Sequence, residues 1–454
     1  MTGRAPRIAV VGGGLAGITA ALDCAEGGAQ VTLLEVRPRL GGAAYSYERD
    51  GLRIDNGQHV FLRCCGAYRA LLRRIGSDGD VVLQPRLDIP VLVPGRRPAR
   101  LSRTRLPAPL QLSASMARFP LLSAAGKVRV ARAMLALRSV DPDDPFADAR
   151  SFGDWLAEHD QGAEEIEAVW RLIGLPTLNV DPAEASLAQA AYVFRTALLE
   201  HSSAADIGWA RVPLSDLHDG PSQRALAAAG AEVRLGARIE RVVARPGAGF
   251  LVEGPADGIE ADAVVVALPS QRVAGLLPPG ALADPAALER LGRSPIVNLH
   301  VAYDRRVLHE PFAVAARSPV QWLFDRTDGS GVEHGQLVAV SLSGADEEAA
   351  MDADALRERF VPALAELLPA ARGARVERFL VTREHAATFR PGPGVRSVRP
   401  GPRTGMPGLA LAGAWTDTGW PATMESAVRS GHAAAREALT AARAAAGAVT
   451  AVAA

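Results

Sequence analysis

Hydrophobic and polar positions near the start of the chain follow a strand–helix–strand pattern. An unbroken apolar run at 8–11 leads into glycines and then into a helical pattern over 15–26, which stops at a second pair of glycines. A second apolar run at 31–34 ends at Glu35. The pattern predicts a parallel β-α-β unit at the opening of the chain.

The same pattern returns in two later blocks. Short β-rich runs between 231 and 254 precede a very apolar predicted strand at 263–268, and the block 408–439 reads as strand, loop and helix. Between them lie a mostly helical stretch, 86–210, and a mixed stretch, 271–395, with a predicted helix at 353–368. We therefore predict an α/β sheet domain that two insertions interrupt.

Composition bounds the class of protein without deciding it. The chain has 454 residues, 48% of them hydrophobic and 22% charged, which is enough for two or three domains with large cores. The formal net charge is zero, so no nucleic-acid partner is expected.

The cysteines exclude two further classes. Cys24, Cys64 and Cys65 form no CxxC pair, and adjacent cysteines bridge only with strain, so we expect neither a zinc site nor a disulfide framework. We expect no export signal, because the first apolar run leads directly into glycines, and no membrane span, because no run of about 20 residues is free of charge and glycine. We expect a cytoplasmic protein.

The glycine turn after the first strand is the first motif that carries chemistry. Gly12, Gly14 and Gly17 form GxGxxG between a predicted strand and a predicted helix, where they allow a tight turn, close approach of a pyrophosphate and close helix packing. Glu35 ends the second strand, where an acid accepts bonds from ribose hydroxyls. These positions predict dinucleotide binding.

The residues after Glu35 select the dinucleotide. Arg39, Gly41 and Gly42 continue the motif, and this arrangement resembles the flavoprotein superfamily of amine oxidases and phytoene desaturases. The resemblance implies FAD and a discontinuous Rossmann-like FAD-binding domain made of 1–85, 211–270 and 396–440. An inserted α+β substrate-binding domain would comprise 86–210 and 271–395, followed by a disordered alanine-rich tail, 441–454.

The closing segment "LAGAWTDTGWPATMESAVRSG" also resembles that superfamily. There a helix begins under the flavin ring, which stabilises negative charge on the reduced flavin. The sequence departs from the usual pattern at Ala43, where an arginine is usual, and at Ala414, where an aspartate is usual; Asp417 is a candidate substitute for the latter. The resemblance implies that these further residues contact FAD: Gly57, Val233, Gly413, Ala414, Thr423 and Met424.

The stretch "RIDNGQHVFLRCC", residues 53–65, is the most specific part of the resemblance. Together with "WTDTGWPATME" it resembles the bacterial hydroxysqualene dehydroxylase family. This implies an FAD-dependent enzyme that removes the hydroxyl group of a C30 isoprenoid alcohol to give squalene, with Gln58 and His59 facing flavin or substrate. His59 could equally hold the loop by hydrogen bonds; Cys64 and Cys65 are expected to pack as small apolar residues.

Three other functions remain open at this point. They are a phytoene-type desaturase, a flavin amine oxidase with Trp415 and Trp420 as an aromatic cage, and a non-catalytic flavin-binding partner of terpene synthases. The resemblance also implies upstream hydroxysqualene-forming synthases and an external flavin-reducing system as partners.

A basic stretch predicts contact with the inner face of the cell membrane. From 89 to 140 there is no Asp or Glu but there are ten basic residues, interleaved with apolar groups. Such a segment is typical of an interfacial surface. The alternative is a solvated basic face that pairs with acids elsewhere in the chain.

Overall fold

The computed structural model describes residues 4–245, 247, 249–255 and 258–452. Its strands, in chain order, are β1 (Arg7–Val11), β2 (Gln30–Glu35), β3 (Ser46–Arg49), β4 (Leu52–Asp55), β5 (Val60–Leu62), β6 (Val81–Leu83), β7 (Asp88–Leu92), β8 (Ala99–Ser102), β9 (Ile207–Ala210), β10 (Glu232–Leu235), β11 (Arg241–Arg245), β12 (Gly249–Glu253), β13 (Ile259–Ala261), β14 (Ala263–Val266), β15 (Ser294–Tyr303), β16 (Phe312–Ala315), β17 (Trp322–Asp325), β18 (Gln336–Ser343), β19 (Val376–Thr388) and β20 (Leu409–Leu411).

The α-helices, in the same order, are α1 (Leu15–Glu26), α2 (Gly66–Ile75), α3 (Ser113–Ala117), α4 (Ala124–Leu137), α5 (Pro145–Ala149), α6 (Phe152–Glu158), α7 (Ala163–Glu165), α8 (Arg171–Leu178), α9 (Leu187–Phe194), α10 (Leu214–Ala228), α11 (Ser270–Val273), α12 (Ala287–Arg290), α13 (Asp346–Ala350), α14 (Ala353–Leu367), α15 (Val395–Val398) and α16 (Met424–Val452). Two π-helical turns, Ile166–Trp170 and Arg195–Leu199, interrupt the helical layer.

A parallel five-stranded sheet forms the first half of the molecule, in the order β10-β2-β1-β14-β20. The middle strands β1 and β14 are buried along almost their whole length, which explains their unbroken apolar sequences. Helices α1 and α16 pack against each other and against this sheet. The predicted α/β class is confirmed, because strands from three separate blocks of sequence join one parallel sheet.

A seven-stranded sheet forms the second half, in the order β19-β15-β18-β17-β16-β7-β8. One part of its core packs on α14, and another packs against a layer of helices from the stretch 110–199. The seven strands come from 88–102 and 294–388, the two predicted insertions. The exact domain boundaries stay a prediction.

The prediction of a disordered tail from 441 onwards was wrong over most of its length. Helix α16 begins at Met424 and continues without interruption to Val452, because alanine is the strongest helix former and this segment is rich in it. Residues 453–454 lie outside the described residues. Within the described residues, no helix is both long and apolar enough to cross a bilayer.

Candidate active site

The turn between β1 and α1 has the geometry that a dinucleotide requires. Gly12 has φ +110°, and a side chain there would overlap the carbonyl oxygen of Ala267. A side chain at Gly17 would overlap the carbonyl oxygen of Gly12, so helix and turn can pack only without one. Gly14 is the N-cap of α1 and provides no side-chain cap, which leaves the first N–H groups of the helix available to an anionic group.

A second glycine pair lies directly on this turn. The N–H of Gly41 donates to the carbonyl oxygen of Gly13 at 2.9 Å, and a Cβ atom on Gly42 would be 2.7 Å from the Cα atom of Gly14. The guanidinium of Arg39 donates to the carbonyl oxygen of Gly42 at 3.2 Å and stacks on the ring of Tyr45. The two predicted glycine motifs therefore form one continuous backbone surface.

Glu35 joins the two loops. Its carboxylate is buried and accepts a hydrogen bond from the N–H of Gly13 at 2.6 Å and another from the N–H of Arg37 at 2.7 Å. It lies at the carboxyl end of β2, next to the first glycine turn. This is the position in which a carboxylate reaches a ribose.

The closing segment brings a second helix N-terminus towards the same sheet edge. Thr423 lies just before α16 and its hydroxyl accepts from the N–H of Ser426 at 3.2 Å, which satisfies one donor of the first turn. The N–H groups of Met424 and Glu425 have no intrahelical acceptor, because they lie in the first turn. Gly413 follows β20, and its N–H donates to the hydroxyl of Ser430 at 2.8 Å.

A buried arginine holds this segment in place. Arg399 donates to the carbonyl oxygens of Thr416 at 2.6 Å and Trp420 at 2.8 Å, and burial lowers its pKa to about 10. Ala414 offers its carbonyl oxygen to the hydroxyl of Ser426 at 3.1 Å. Asp417, the suggested substitute for the usual aspartate, lies 3.7 Å from Arg396 and accepts from the N–H of Gly419.

Val233 lies apart from these loops. It is in β10, the edge strand, and pairs in register with Leu33 of β2. Its backbone is therefore at the outer side of Glu35 and belongs to the same carboxyl end of the sheet.

The loop at 56–59 lies between the two halves of the molecule. Gly57 is buried against Asn298 of β15, and His59 Nδ1 lies 3.1 Å from the carbonyl oxygen of Gly57. Since a carbonyl only accepts, Nδ1 carries the proton and Nε2 keeps its lone pair. Burial lowers the pKa of His59, so the ring is neutral at neutral pH.

Gln58 and His59 line a small cavity with room for about one water molecule, about 10 Å³. The Nε2 atom of Gln58 is a buried donor without a hydrogen-bond partner among the described residues. The other walls are mostly apolar and come from both halves of the molecule. They include Val60, Trp209, Leu214, Pro311 and Phe324.

An ion pair that the sequence did not predict closes one side of this cavity. Arg326 donates to the buried carboxylate of Asp55 at 2.6 Å and to the carbonyl oxygen of Ala210 at 2.8 Å. Asp55 also accepts from the hydroxyl of Ser46 at 2.6 Å. Asp55 stood in the stretch that sequence analysis singled out, but nothing in the sequence indicated a partner 271 residues away.

Two buried histidines were also missed. His300 of β15 lines a cavity next to Gln58, and His218 of α10 lies 2.9 Å from the hydroxyl of Tyr68. Burial lowers the pKa of each ring to about 4, so both are neutral. Their isolated positions in apolar patterns gave no signal.

The cysteines are free thiols. Cys65 packs within the core of the sheet half, and Cys64 is half-buried beside it. The neighbouring Cys65 thiol lowers the pKa of Cys64, whereas the pKa of Cys65 is raised by that contact and by burial. Among the described residues, no group of three or more His, Cys, Asp and Glu side chains is arranged to hold a metal ion.

These features fit FAD. The uncapped N-terminus of α1, the free first N–H groups of α16, a carboxylate at the end of β2 and a glycine-lined backbone surface are what a pyrophosphate, a ribose and a flavin ring need. A two-domain molecule with this parallel sheet and these loops is a dinucleotide-binding flavoprotein. The family model "Flavin containing amine oxidoreductase" matches residues 15–439, and the chain belongs to this family.

Known proteins of this family resemble the chain over almost its whole length. A hydroxysqualene dehydroxylase of Rhodopseudomonas palustris is 31% identical over 444 residues, which cover 96% of this chain and 99% of that protein. A zeta-carotene desaturase of Zea mays is 23% identical, over 94% of this chain and 82% of its own. A solved structure of a putrescine oxidase mutant shares the fold with a TM-score of 0.73 at 18% identity, covering 96% of this chain and all of its own. The protein is an FAD-dependent oxidoreductase, as predicted.

Proposed function

We propose that this enzyme reductively removes the hydroxyl group of hydroxysqualene, a C30 isoprenoid alcohol, and so forms squalene. The similarity to a hydroxysqualene dehydroxylase over 96% of the chain supports this substrate. Upstream synthases would supply the alcohol, and an external reductant would reduce the flavin.

The observation that carries the proposal is the polar pair in the cavity between the two halves. Gln58 Nε2 is an unpartnered buried donor, and neutral His59 leaves an acceptor at Nε2; both residues line the same small cavity. A hydroxyl group is both an acceptor and a donor, so it can bond with both. A hydrocarbon would leave the buried Gln58 donor unsatisfied, which costs about 1–3 kcal/mol, and would offer no partner to His59 Nε2.

The reaction balances with one two-electron reductant. Reduced FAD, when bound, supplies a hydride to the carbon that loses its oxygen. The C–O bond breaks, a proton joins the departing hydroxyl, and water leaves. The product gains a C–H bond.

The chain's own residues orient the alcohol and exclude water. Gln58 Nε2 donates a hydrogen bond to the hydroxyl oxygen, and His59 Nε2 accepts a hydrogen bond from the same hydroxyl group, which orients the C–O bond. Since His59 is neutral, the proton for the leaving group comes from one ordered water rather than from an imidazolium, while bulk solvent is excluded. The apolar walls at Trp209 and Phe324 limit capture of a developing cation by solvent.

A phytoene-type desaturase is the second candidate, and the similarity to a zeta-carotene desaturase favours it. In that case hydride would pass from the lipid to oxidised FAD. The hydrocarbon substrate would give Gln58 and His59 no partner, so substitution of either should not lower turnover.

The remaining two alternatives have less support. Trp415 is buried and donates its indole N–H to the carbonyl oxygen of Leu268, and the ring of Trp420 is covered by the guanidinium of Arg429. These two rings do not form an open aromatic cage for an amine. A non-catalytic flavin-binding protein would show no turnover, so an activity measurement distinguishes it from the enzyme.

The direct test uses the FAD-loaded protein, reduced with dithionite without oxygen and incubated with hydroxysqualene. We expect squalene on lipid extraction, and none when the flavin is left oxidised. Oxidised protein is incubated in parallel with 15-cis-phytoene. Desaturated product in that arm without squalene in the first arm would assign the desaturase function, and no product in either arm would overturn both.

Variants at the polar pair sharpen the test. We expect Gln58→Leu and His59→Phe each to reduce turnover of hydroxysqualene by about tenfold or more, with the flavin still bound, because each removes one hydrogen bond to the substrate. Cys24→Ala, a buried substitution away from the cavity, is the control. Unchanged turnover in both cavity variants would show that the pair does not hold the hydroxyl group.

A further inference from the structure

Helix α4 has an unusual outward face. Its buried side is formed by Gly126, Val130, Ala133 and Leu137, which pack on the helical layer. The opposite side would ordinarily carry mixed charges. Instead, one exposed stripe at helical spacing consists of Val128, Ala131, Arg132, Leu135 and Arg138, and we call these five residues the α4 face.

The apolar members of the α4 face are part of a larger trend. Among the residues that the structure describes, six large hydrophobic side chains are strongly exposed, and five of them lie between 106 and 146. On the α4 face, Val128 is 59% exposed and Leu135 is 55% exposed. Clustered exposure of this kind marks an interaction surface, whereas single exposed apolar residues do not.

The charges of the segment 89–140 are of one sign, and only some of them pair with acids from other segments, such as Glu165 with Arg129. No Asp or Glu occurs from 89 to 140. Arg100, Arg103 and Arg129 form ion pairs with acids from other segments, so the interpretation of a basic face paired elsewhere holds for these three. In the described part of the chain no acid pairs with the other arginines of the stretch, namely Arg96, Arg97, Arg105, Arg118, Arg132 and Arg138.

The α4 face is next to a second exposed segment and to a cavity. Lys127 donates to the carbonyl oxygen of Ala117 at 2.7 Å, which brings the segment of Leu106, Leu110 and Arg118 towards the first turn of α4. A cavity of about 560 Å³ lies near this helix, and its walls include Leu121, three residues before the helix, as well as Glu164 and Glu167.

We propose that the α4 face docks onto an anionic lipid bilayer, with Val128 and Leu135 entering the headgroup boundary and Arg132 and Arg138 contacting lipid phosphates. The combination of exposed aliphatic and unpaired cationic side chains matches a lipid surface, which offers both an apolar layer and negative charge. A nucleic acid would satisfy the arginines but not the aliphatic side chains. The inference goes beyond the proposed reaction, because it concerns where the enzyme acts.

The test is co-sedimentation of the FAD-loaded protein with vesicles. Vesicles of phosphatidylcholine that contain about 30% of the anionic lipid phosphatidylglycerol are compared with vesicles of pure phosphatidylcholine, each at low and at high salt. We expect binding to the anionic vesicles that weakens as salt rises. Negligible binding to both, with squalene formation intact, would overturn the docking proposal and leave the proposed reaction standing.

Paired variants separate charge from insertion. Each arginine near an anionic surface is worth about fivefold in partitioning, so Arg132→Gln/Arg138→Gln should bind about 25-fold more weakly. Val128→Gln/Leu135→Gln should also weaken binding, with its charges intact. The control Arg357→Gln/Arg378→Gln removes two exposed arginines outside this region and should bind like the wild type.

The outcomes distinguish two kinds of surface. Loss of binding in both α4 variants, with the control unchanged, supports docking through this face. A loss in the arginine variant alone would overturn it and indicate a purely electrostatic surface for polyanions. Equal loss in the control would show that net charge, and not the α4 face, governs binding.

Discussion

One buried carboxylate, that of Glu35, positions the two glycine loops of the flavin half. Glu35 accepts two backbone N–H groups and thereby fixes both glycine loops relative to each other. The side chain is therefore part of the architecture of the loops as well as the predicted ligand of a ribose. A substitution there acts on the cofactor through both roles.

We expect Glu35→Ala to weaken FAD binding by about ten- to a hundredfold, because hydrogen bonds to a charged acceptor are worth roughly 1.5–3 kcal/mol. The measurement is flavin fluorescence on titration of the apoprotein with FAD. Glu26→Ala, at the exposed end of α1, removes the same charge and should leave the affinity unchanged. Wild-type affinity in Glu35→Ala would remove this carboxylate from the cofactor site.

The two buried histidines make stability depend on pH. The pKa of His218 and of His300 is about 4 in the folded protein and about 6.5 when unfolded, so the unfolded state binds more protons between these values. Stability is therefore full above about pH 6.5 and falls as the pH drops towards 4. Protonation of each histidine in the unfolded state should lower the free energy of unfolding by about 2 kcal/mol between pH 7 and pH 5.

Urea unfolding at pH 7, 6 and 5 checks this dependence. His300→Gln should lose about 2 kcal/mol less than the wild type over that range, whereas His201→Gln, at an exposed position, should follow the wild type. The same pH dependence of the unfolding free energy in all three proteins would mean that His300 does not titrate as described.

At the scale of elements, the contact between α1 and α16 aligns the two helix ends of the flavin site. Gly431 of α16 lies on the backbone of α1, where a side chain would overlap the carbonyl oxygen of Ala16 and lie 2.8 Å from Cβ of Thr19. The closest neighbours of this glycine are therefore atoms of α1.

We expect Gly431→Ala to lower the melting temperature and the FAD affinity, although alanine favours a helix by about 1 kcal/mol over glycine. The added methyl group must push α16 away from α1, and overpacking of this kind costs about 1–3 kcal/mol. Gly220→Ala in α10 is the matched control, because its closest neighbour is the flexible side chain of Arg224 at 3.3 Å. That variant should gain stability; a gain at both positions would show that the helices can separate freely.

At the scale of the whole molecule, the ion pair of Asp55 and Arg326 connects the two halves. Asp55 ends β4, next to the flavin loops, and Arg326 follows β17 of the seven-stranded sheet. The cavity lined by Gln58 and His59 lies at this junction. The relative position of the halves therefore determines the shape of the site.

We expect Arg326→Met to destabilise the protein by about 3–5 kcal/mol, because it leaves a buried carboxylate unpaired. The double variant Arg326→Met/Asp55→Asn should recover part of this loss, since an amide oxygen can still accept from Ser46 and Leu214. Denaturant unfolding with flavin release as a second signal measures both. Equal stability of the single and double variants would argue against an uncompensated charge.

The sequence determined the features that depend on neighbours along the chain. Gly12, Gly17 and Glu35 lie within 24 residues, where strand, turn and helix follow from apolar periodicity and from backbone angles that only glycine adopts readily. For this reason the parallel sheet, the helix over Leu15–Glu26 and a bound dinucleotide could be predicted, whereas the choice of FAD came from the resemblance of the following motif to a flavoprotein superfamily. The alanine-rich end could not, because composition alone does not separate a disordered tail from a long helix.

Only the tertiary structure decided which distant residues meet. The pairing of Asp55 with Arg326, the position of His300 beside Gln58 and the outward direction of Val128 and Leu135 depend on how the insertions fold back on the sheet. Each side chain occurs in a local pattern that is equally compatible with a solvent-exposed or a core position. Long-range packing, which local periodicity does not encode, separates these alternatives, and it places an ion pair and a hydroxyl-sized cavity where the two halves join.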